Sequence, residues 1–205
     1  MGELTTGYRS TASYVNDTLI PISSLPDTGY PIWNREMTAL LDAMRVRYKS
    51  AIIQPGVLDP PHDRILYVGC GRRLPFIDCW CCDLDPQVGQ GIEHFVHADA
   101  HDLPFEDNTF DWVLSSHTIE HLTDQETAIG EMVRVTRVGG LIGAILPDVR
   151  WTGGRDPDHK REWSLDAFAD QFRAGITSGD AYRLVASDVA EPEYSFIACW
   201  VKESD

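Results

Sequence analysis

Histidines and carboxylates crowd the second half of this chain in spacings that could move a proton. His117 and His121 stand four residues apart with Glu120 between them, so one turn of helix would put both imidazoles on a common face. Asp148 ends the run Leu146-Pro147-Asp148, and His159 closes the polar stretch Gly153-Gly154-Arg155-Asp156-Pro157-Asp158-His159. An imidazole changes charge near neutral pH and suits general-base work on a hydroxyl. His117, Asp148 and His159 are therefore the candidate proton-handling residues, with His159 leading. Other chemistries fit the same letters. His117-Thr118-Ile119-Glu120-His121 reads as H-x-x-E-H, a metalloprotease-like string without its usual surroundings. Asp156, Asp158 and His159 could order a loop or hold a divalent cation. No metal is expected on balance.

A second group lies earlier. The apolar run Ile65-Leu66-Tyr67-Val68 leads into Gly69-Cys70-Gly71-Arg72, and a second apolar run ends at Asp83. Glycines after a strand let backbone N–H groups approach a ligand, and an acid at the tip of the next strand can accept hydrogen bonds from ribose hydroxyls. A nucleoside-bearing ligand is the expectation, without a choice between ligand kinds.

The elements that must position these residues follow from periodicity. Apolar runs alternate with polar or helical stretches, the pattern of an α/β parallel sheet. Strands are predicted near Ile65–Val68, Ile77–Cys82, His94–His97, Trp112–Ser115, Leu141–Leu146, Tyr182–Ala186 and Ser195–Val201, and helices near Asp124–Thr136 and Ser164–Ala174. Asp83 comes only twelve positions after Gly71, and Asp99 only sixteen after Asp83, so the first two crossovers should be shortened or non-helical. Upstream, Met37, Leu40, Leu41 and Met44 follow helical spacing behind a cap at Asn34. Residues before about 30 read as irregular. The domain reading is an N-terminal segment, residues 1–62, packed on the core or covering its site, and a Rossmann-like core, residues 63–205.

The segments Asp99-Ala100-His101-Asp102-Leu103-Pro104-Phe105-Glu106-Asp107-Asn108-Thr109-Phe110-Asp111 and Ser116-His117-Thr118-Ile119-Glu120-His121-Leu122 closely resemble class I S-adenosylmethionine-dependent methyltransferases. The likeness is to the compact, small-molecule and glycan-type branch and spans roughly residues 64–146. It implies a Rossmann-like, mostly parallel seven-stranded sheet with flanking helices and an antiparallel last strand. It implies S-adenosyl-L-methionine as cofactor, S-adenosyl-L-homocysteine as product, and methyl transfer to a hydroxyl of a sugar or natural product. By that likeness Gly69, Cys70 and Gly71 face the methionine end, Asp83 takes the ribose, Leu84 covers the adenine, and Asp99 with Ala100 reads it; Arg72 or Arg73 could pair with the cofactor carboxylate, because a guanidinium fork matches it bidentately. His101 and Ser116 complete the cofactor set. Tyr67 and Arg73 stand where the family usually has an acid and a third glycine. A catalytically degenerate cofactor-binding protein and a nicotinamide-dependent oxidoreductase are the rival expectations.

Composition bounds the partners. The chain has 205 residues, 43% hydrophobic, with a net charge of −15, so nucleic acid and anionic membrane surfaces would be repelled. The expected partner is a small-molecule acceptor, with no nucleic acid and no membrane, and a homodimer is left open. No targeting segment or membrane-spanning run is read from the sequence, which makes the expected location cytoplasmic. Three of five cysteines fall in Cys79-Trp80-Cys81-Cys82. On a strand, Cys79 and Cys82 point to opposite faces and cannot share a metal, so buried, reduced thiols are expected.

Overall fold

The computed structural model describes residues 12–15, 18–21, 36–44, 64–72, 74, 79–154, 156–174, 182–190 and 195–205. A seven-stranded sheet forms the framework: β3 (Ile65–Val68), β4 (Trp80–Asp83), β5 (Phe95–His97), β6 (Phe110–Ser116), β7 (Thr136–Pro147), β8 (Tyr182–Ala190) and β9 (Ser195–Lys202), in the order β5-β4-β3-β6-β7-β9-β8. The strands from β5 to β7 pair in parallel, and β9 runs antiparallel between β7 and β8. Every residue of β3, β6 and β9 is buried. That is why their central residues read as apolar runs rather than as alternations: both sheet faces are covered.

Each cover follows from a sequence signal. Helix α1, residues 36–44, buries Met37, Leu40, Leu41 and Met44 against Tyr67, Trp112, Leu114 and Ile197. At about 1.5–3 kcal/mol for each such side chain, this contact makes α1 part of the core. β7 accommodates it with a glycine, because a Cβ on Gly143 would sit 2.6 Å from Met44 Sδ. The other face carries α2 (Gln125–Val135) and α4 (Leu165–Ala174). There Ile129, Met132 and Phe168 pack with Val113, Ile142, Phe196 and Trp200. Asp124 caps α2 by accepting from the Thr127 N–H at 3.1 Å, and Ser164 caps α4 by accepting from the Ala167 N–H at 3.3 Å.

The connection from β4 to β5 consists of turns without a helix, as its length requires. The described residues of the β3–β4 connection hold no helix either. The family-like stretch after β5 owes its shape to Arg134. Its guanidinium donates to the Leu103 and Phe105 carbonyls at 2.9 and 2.7 Å and to Asp107 at 2.8 Å, while Glu131 pairs with it along α2. Asp111, nearly buried, is neutralised by Arg64 at 2.8 Å and by Arg137.

Three features differ from expectation. β1 (Ala12–Val15) and β2 (Thr18–Pro21) form an antiparallel hairpin where irregular chain was read. The missed signal is Asn16-Asp17 between β-branched and aromatic residues, a two-residue turn pattern. β7 starts at Thr136, five residues early, directly from the end of α2, with Thr136 Oγ1 donating back to the Met132 carbonyl. A short unforeseen helix, α3 (Val149–Thr152), follows β7. All five cysteines are buried, and none is in a disulfide. Burial pushes the Cys82 thiol up to about 12, which leaves it protonated and unreactive. No described helix is long and apolar enough to cross a membrane.

Candidate functional site

A cavity of about 490 Å³ opens at the carboxyl ends of β3, β4, β5 and β6, where parallel sheets of this kind take their ligands. Its floor is backbone. Gly69 and Gly71 adopt φ of 68° and 52°, a region costly for residues with a Cβ. The two glycines serve different ends. A Cβ at Gly69 would overlap the Thr118 side chain, so this glycine lets the loop after β6 close on the loop after β3. A Cβ at Gly71 would meet nothing within 4 Å, so space beside it remains for a ligand. The Gly69 and Cys70 N–H groups both donate to the Cys82 carbonyl, at 2.9 and 3.1 Å.

Asp83 ties the floor to the next turn. Its Oδ2 accepts from the Gly71 N–H at 2.9 Å and its Oδ1 from the Asp85 N–H at 3.0 Å. Each oxygen keeps a lone pair toward solvent, which suits the ribose hydroxyls of a nucleoside. Leu84, 65% exposed, presents bare apolar surface at the same wall, the condition under which a purine face would cover it. Opposite, Asp99 Oδ1 accepts from the His101 N–H at 2.9 Å and lies 2.5 Å from His101 Nδ1. These contacts hold its carboxyl below the usual range and leave Oδ2 as an acceptor. The donor set and the open space at Gly71 fit a nucleoside cofactor.

Of the sequence candidates, Gly69, Gly71, Asp83, Leu84, Asp99, Ala100, His101 and His117 line this cavity. Cys70 does not, because its side chain is buried in the core beneath the turn. Ser116 is buried and Arg72 exposed, and neither is at the cavity wall. Arg73 lies outside the described residues. Tyr67 is buried in the core, 1% exposed.

The proton-handling candidates part company. His117 has φ 50°, a strained value for a side-chain-bearing residue. Its Nε2 donates to Glu36 Oε2 at 2.9 Å, and its Nδ1 lies 3.3 Å from Glu120 Oε1. Burial alone would push this imidazole down, but the Glu120 and Glu36 carboxylates outweigh it and raise its pKa to about 9. His117 is thus an imidazolium at neutral pH, and a general-base role does not fit it. Asp148 is wholly buried, caps α3 through the Arg150 N–H, and is bound by the Arg150 guanidinium. Burial would raise its pKa, yet Arg150 lowers it overall. It is a structural anchor set back from the cavity.

His159 also stands behind the wall. Its Nδ1 is 2.6 Å from Glu162 Oε1, and its ring packs edge-on against that of His121, centroids 4.7 Å apart. His121 does line the cavity. The residues that sequence reasoning missed are Glu36, Thr118 and Glu162. Glu162 had a signal, its i, i+3 spacing from His159; Glu36, 81 residues from His117, had none.

Residues 66–144 match the family model described as a methyltransferase domain. Ajmaline N-methyltransferase of Rauvolfia serpentina is 52% identical over 38% of this chain and 34% of its own length. A demethylmenaquinone methyltransferase of a Mycobacterium species (strain KMS) is 29% identical over 67% of this chain and 65% of its own. The chain thus spans from a third to just under two thirds of these relatives. Among solved structures, a methyltransferase of Thermotoga maritima, described as a possible histamine N-methyltransferase, aligns with TM-score 0.56 and 18% identity over 84% of this chain and all of its own. The cyclase SpnF aligns with TM-score 0.60 and 17% identity, over 82% of this chain and 84% of its own; likeness at that level concerns fold alone. Residues 66–144 are therefore similar to a methyltransferase domain, in a fold shared with a solved S-adenosylmethionine-dependent methyltransferase.

Proposed function

We propose that this protein transfers a methyl group from S-adenosyl-L-methionine to a small-molecule acceptor, a hydroxyl of a sugar or natural product. The observation that carries the reading is the join between two parts of one cavity: the Gly71–Asp83 floor on one side, and His117, Thr118 and His121 on the other. The cofactor supplies a methyl already activated by its sulfonium. The protein must then orient the acceptor in line and receive its proton. His117 acts as a fixed positive charge, and α1 joins the site through Glu36. The histidine pair His121 and His159, backed by Glu162, is the acceptor-side group that promotes loss of the acceptor's proton. The relatives named for demethylmenaquinone make a ring carbon the rival acceptor atom.

A degenerate cofactor-binding role is the second reading. Tyr67 favours it, because its ring is buried in the core where relatives place an acid. Calorimetric titration with S-adenosylmethionine, S-adenosylhomocysteine and NAD, repeated on Asp83→Ala, tests the proposal. Binding of both sulfur compounds, weakened in the variant and not seen for NAD, is the expected result. Binding of NAD in preference would overturn it. Turnover of labelled methyl groups across an acceptor panel then separates enzyme from degenerate binder.

A further inference from the structure

We propose that Glu120, His121 and His159 form a binding site for a divalent transition-metal ion of the zinc class, beside the cofactor cavity. One donor atom of each residue lies within 4.8 Å of the donors of the other two. A tetrahedral zinc shell needs these donors to close to roughly 3.3 Å, given bonds of about 2.0 Å, an adjustment of side-chain torsions rather than of the fold.

Two independent observations point to an ion. Glu120 is wholly buried, 0% exposed, and no hydrogen bond reaches its Oε2. Such a buried charge is costly unless something pairs with it. His117 sits 3.3 Å from Oε1, which leaves Oε2 to be satisfied. His117 is itself balanced from its far side by Glu36, so a cation at Oε2 does not face an uncompensated positive charge.

The second observation is the orientation of both histidines. The His121 Nδ1–H donates to the Asp158 carbonyl at 3.3 Å, and the His159 Nδ1–H donates to Glu162 Oε1 at 2.6 Å. That arrangement turns the Nε2 of each ring away from its backing group, with Asp156 Oδ2 3.6 Å from the His159 Nε2. This is the carboxylate- or carbonyl-backed arrangement that metal-binding imidazoles require. Glu162 is fixed in turn by the Gly154 N–H at 3.0 Å and by the Thr152 hydroxyl. Backbone closes the assembly, since the Lys160 N–H donates to the Glu120 carbonyl at 2.7 Å and holds the two segments together.

Two imidazoles and one carboxylate select zinc, cobalt or nickel over magnesium or calcium, which prefer all-oxygen shells. Three protein ligands leave a fourth position, and His121 lines the cavity. An acceptor oxygen or a water at that position would lose its proton more readily. That use of the ion rests on the methyl-transfer reading above; the binding of the ion does not.

The test is titration of chelator-stripped full-length protein with zinc against a chromophoric chelator, and with cobalt followed by its visible absorption. One equivalent per chain is expected, with the intense bands of four- or five-coordinate cobalt. His121→Ala, at an exposed position, leaves the core intact and should weaken binding by about 100-fold or more. Glu162→Gln keeps the shape but changes the backing of His159, and should weaken it by about 10–100-fold. Thermal melts of each variant without metal separate misfolding from lost ligands. Absence of stoichiometric binding by the folded wild type would overturn the site, as would unchanged affinity in His121→Ala. Parallel titration with S-adenosylmethionine distinguishes the two ideas: loss of metal binding with cofactor binding retained refutes this site alone, and the reverse refutes the functional reading alone.

Discussion

The two walls of the cavity are built on opposite principles. The wall from β3 to β5 is local backbone: glycine turns, a carboxylate twelve residues downstream accepting from Gly71, and an Asp99–His101 pair two residues apart. The wall after β6 is long-range charge: Glu36, His117, Glu120, His159 and Glu162 come from α1, the turn after β6 and the loop before α4. The first kind of wall presents a fixed hydrogen-bonding pattern to a constant ligand. The second holds buried charges whose states depend on one another, a property suited to chemistry and to pH response. Cofactor recognition should therefore be sensitive to single local changes, and the charged wall to changes far along the chain.

The largest effect expected from that contrast is at Asp83. Asp83→Ala removes the acceptor of two N–H groups and of the ribose hydroxyls, and should weaken S-adenosylmethionine binding about 100-fold at the 1.5–3 kcal/mol of a charged hydrogen bond. Calorimetry checks it, and affinity unchanged within twofold would break the assignment of the local wall. Gly69→Ala comes next. Strain at φ 68° together with overlap on Thr118 should cost about 2–3 kcal/mol in urea unfolding. A neutral result would mean that the loop after β6 does not close there.

On the charged wall, folding raises the pKa of His117 from 6.5 to about 9. Its protonated form therefore contributes stability that is complete below pH 6.5 and is lost as pH climbs through 9. The unfolding midpoint should fall over that window, and Glu36→Gln should flatten the fall while returning the His117 pKa toward the usual imidazole range in proton NMR titration. A pH-independent midpoint in the wild type would show that the two carboxylates do not hold the proton. The smallest effect is at Arg134, outside both walls. Arg134→Ala frees the loop 103–107 from α2 and should cost about 1–2 kcal/mol, with cofactor affinity changed less than by Asp83→Ala. The opposite ranking would shift the local wall from Asp83 to that loop.

What was legible in the sequence follows the same division. β3, the glycine turn and the strand-end Asp83 could be read because each is a short-range pattern: an apolar run, a positive-φ turn, an acid at a strand tip; Asp99 and Ala100 were singled out only by the family resemblance. The helices α2 and α4 were legible to within a residue or two because Asp124 and Ser164 cap them through their own side chains. Asp148, by contrast, looked like a mouth acid, since strand-end position says nothing about which neighbour an acid meets. Here Arg150, two residues on, turns it into a cap for α3.

By itself, the sequence determined the alternation of strand and helix, the uncovered backbone at Gly71 and the acid that closes the turn after β3, because all of these are set by steric and hydrogen-bonding rules acting within about twenty residues. Only the tertiary structure decided that His117 is a cation rather than a base. That outcome requires Glu36, 81 residues away on α1, to arrive beside an imidazole already facing Glu120. It likewise decided that His121 and His159, 38 residues apart in the chain, pack edge to face beside a buried carboxylate. Charges interact through space, and the distance between them exists only once the sheet has brought β6 and the loop after β7 together.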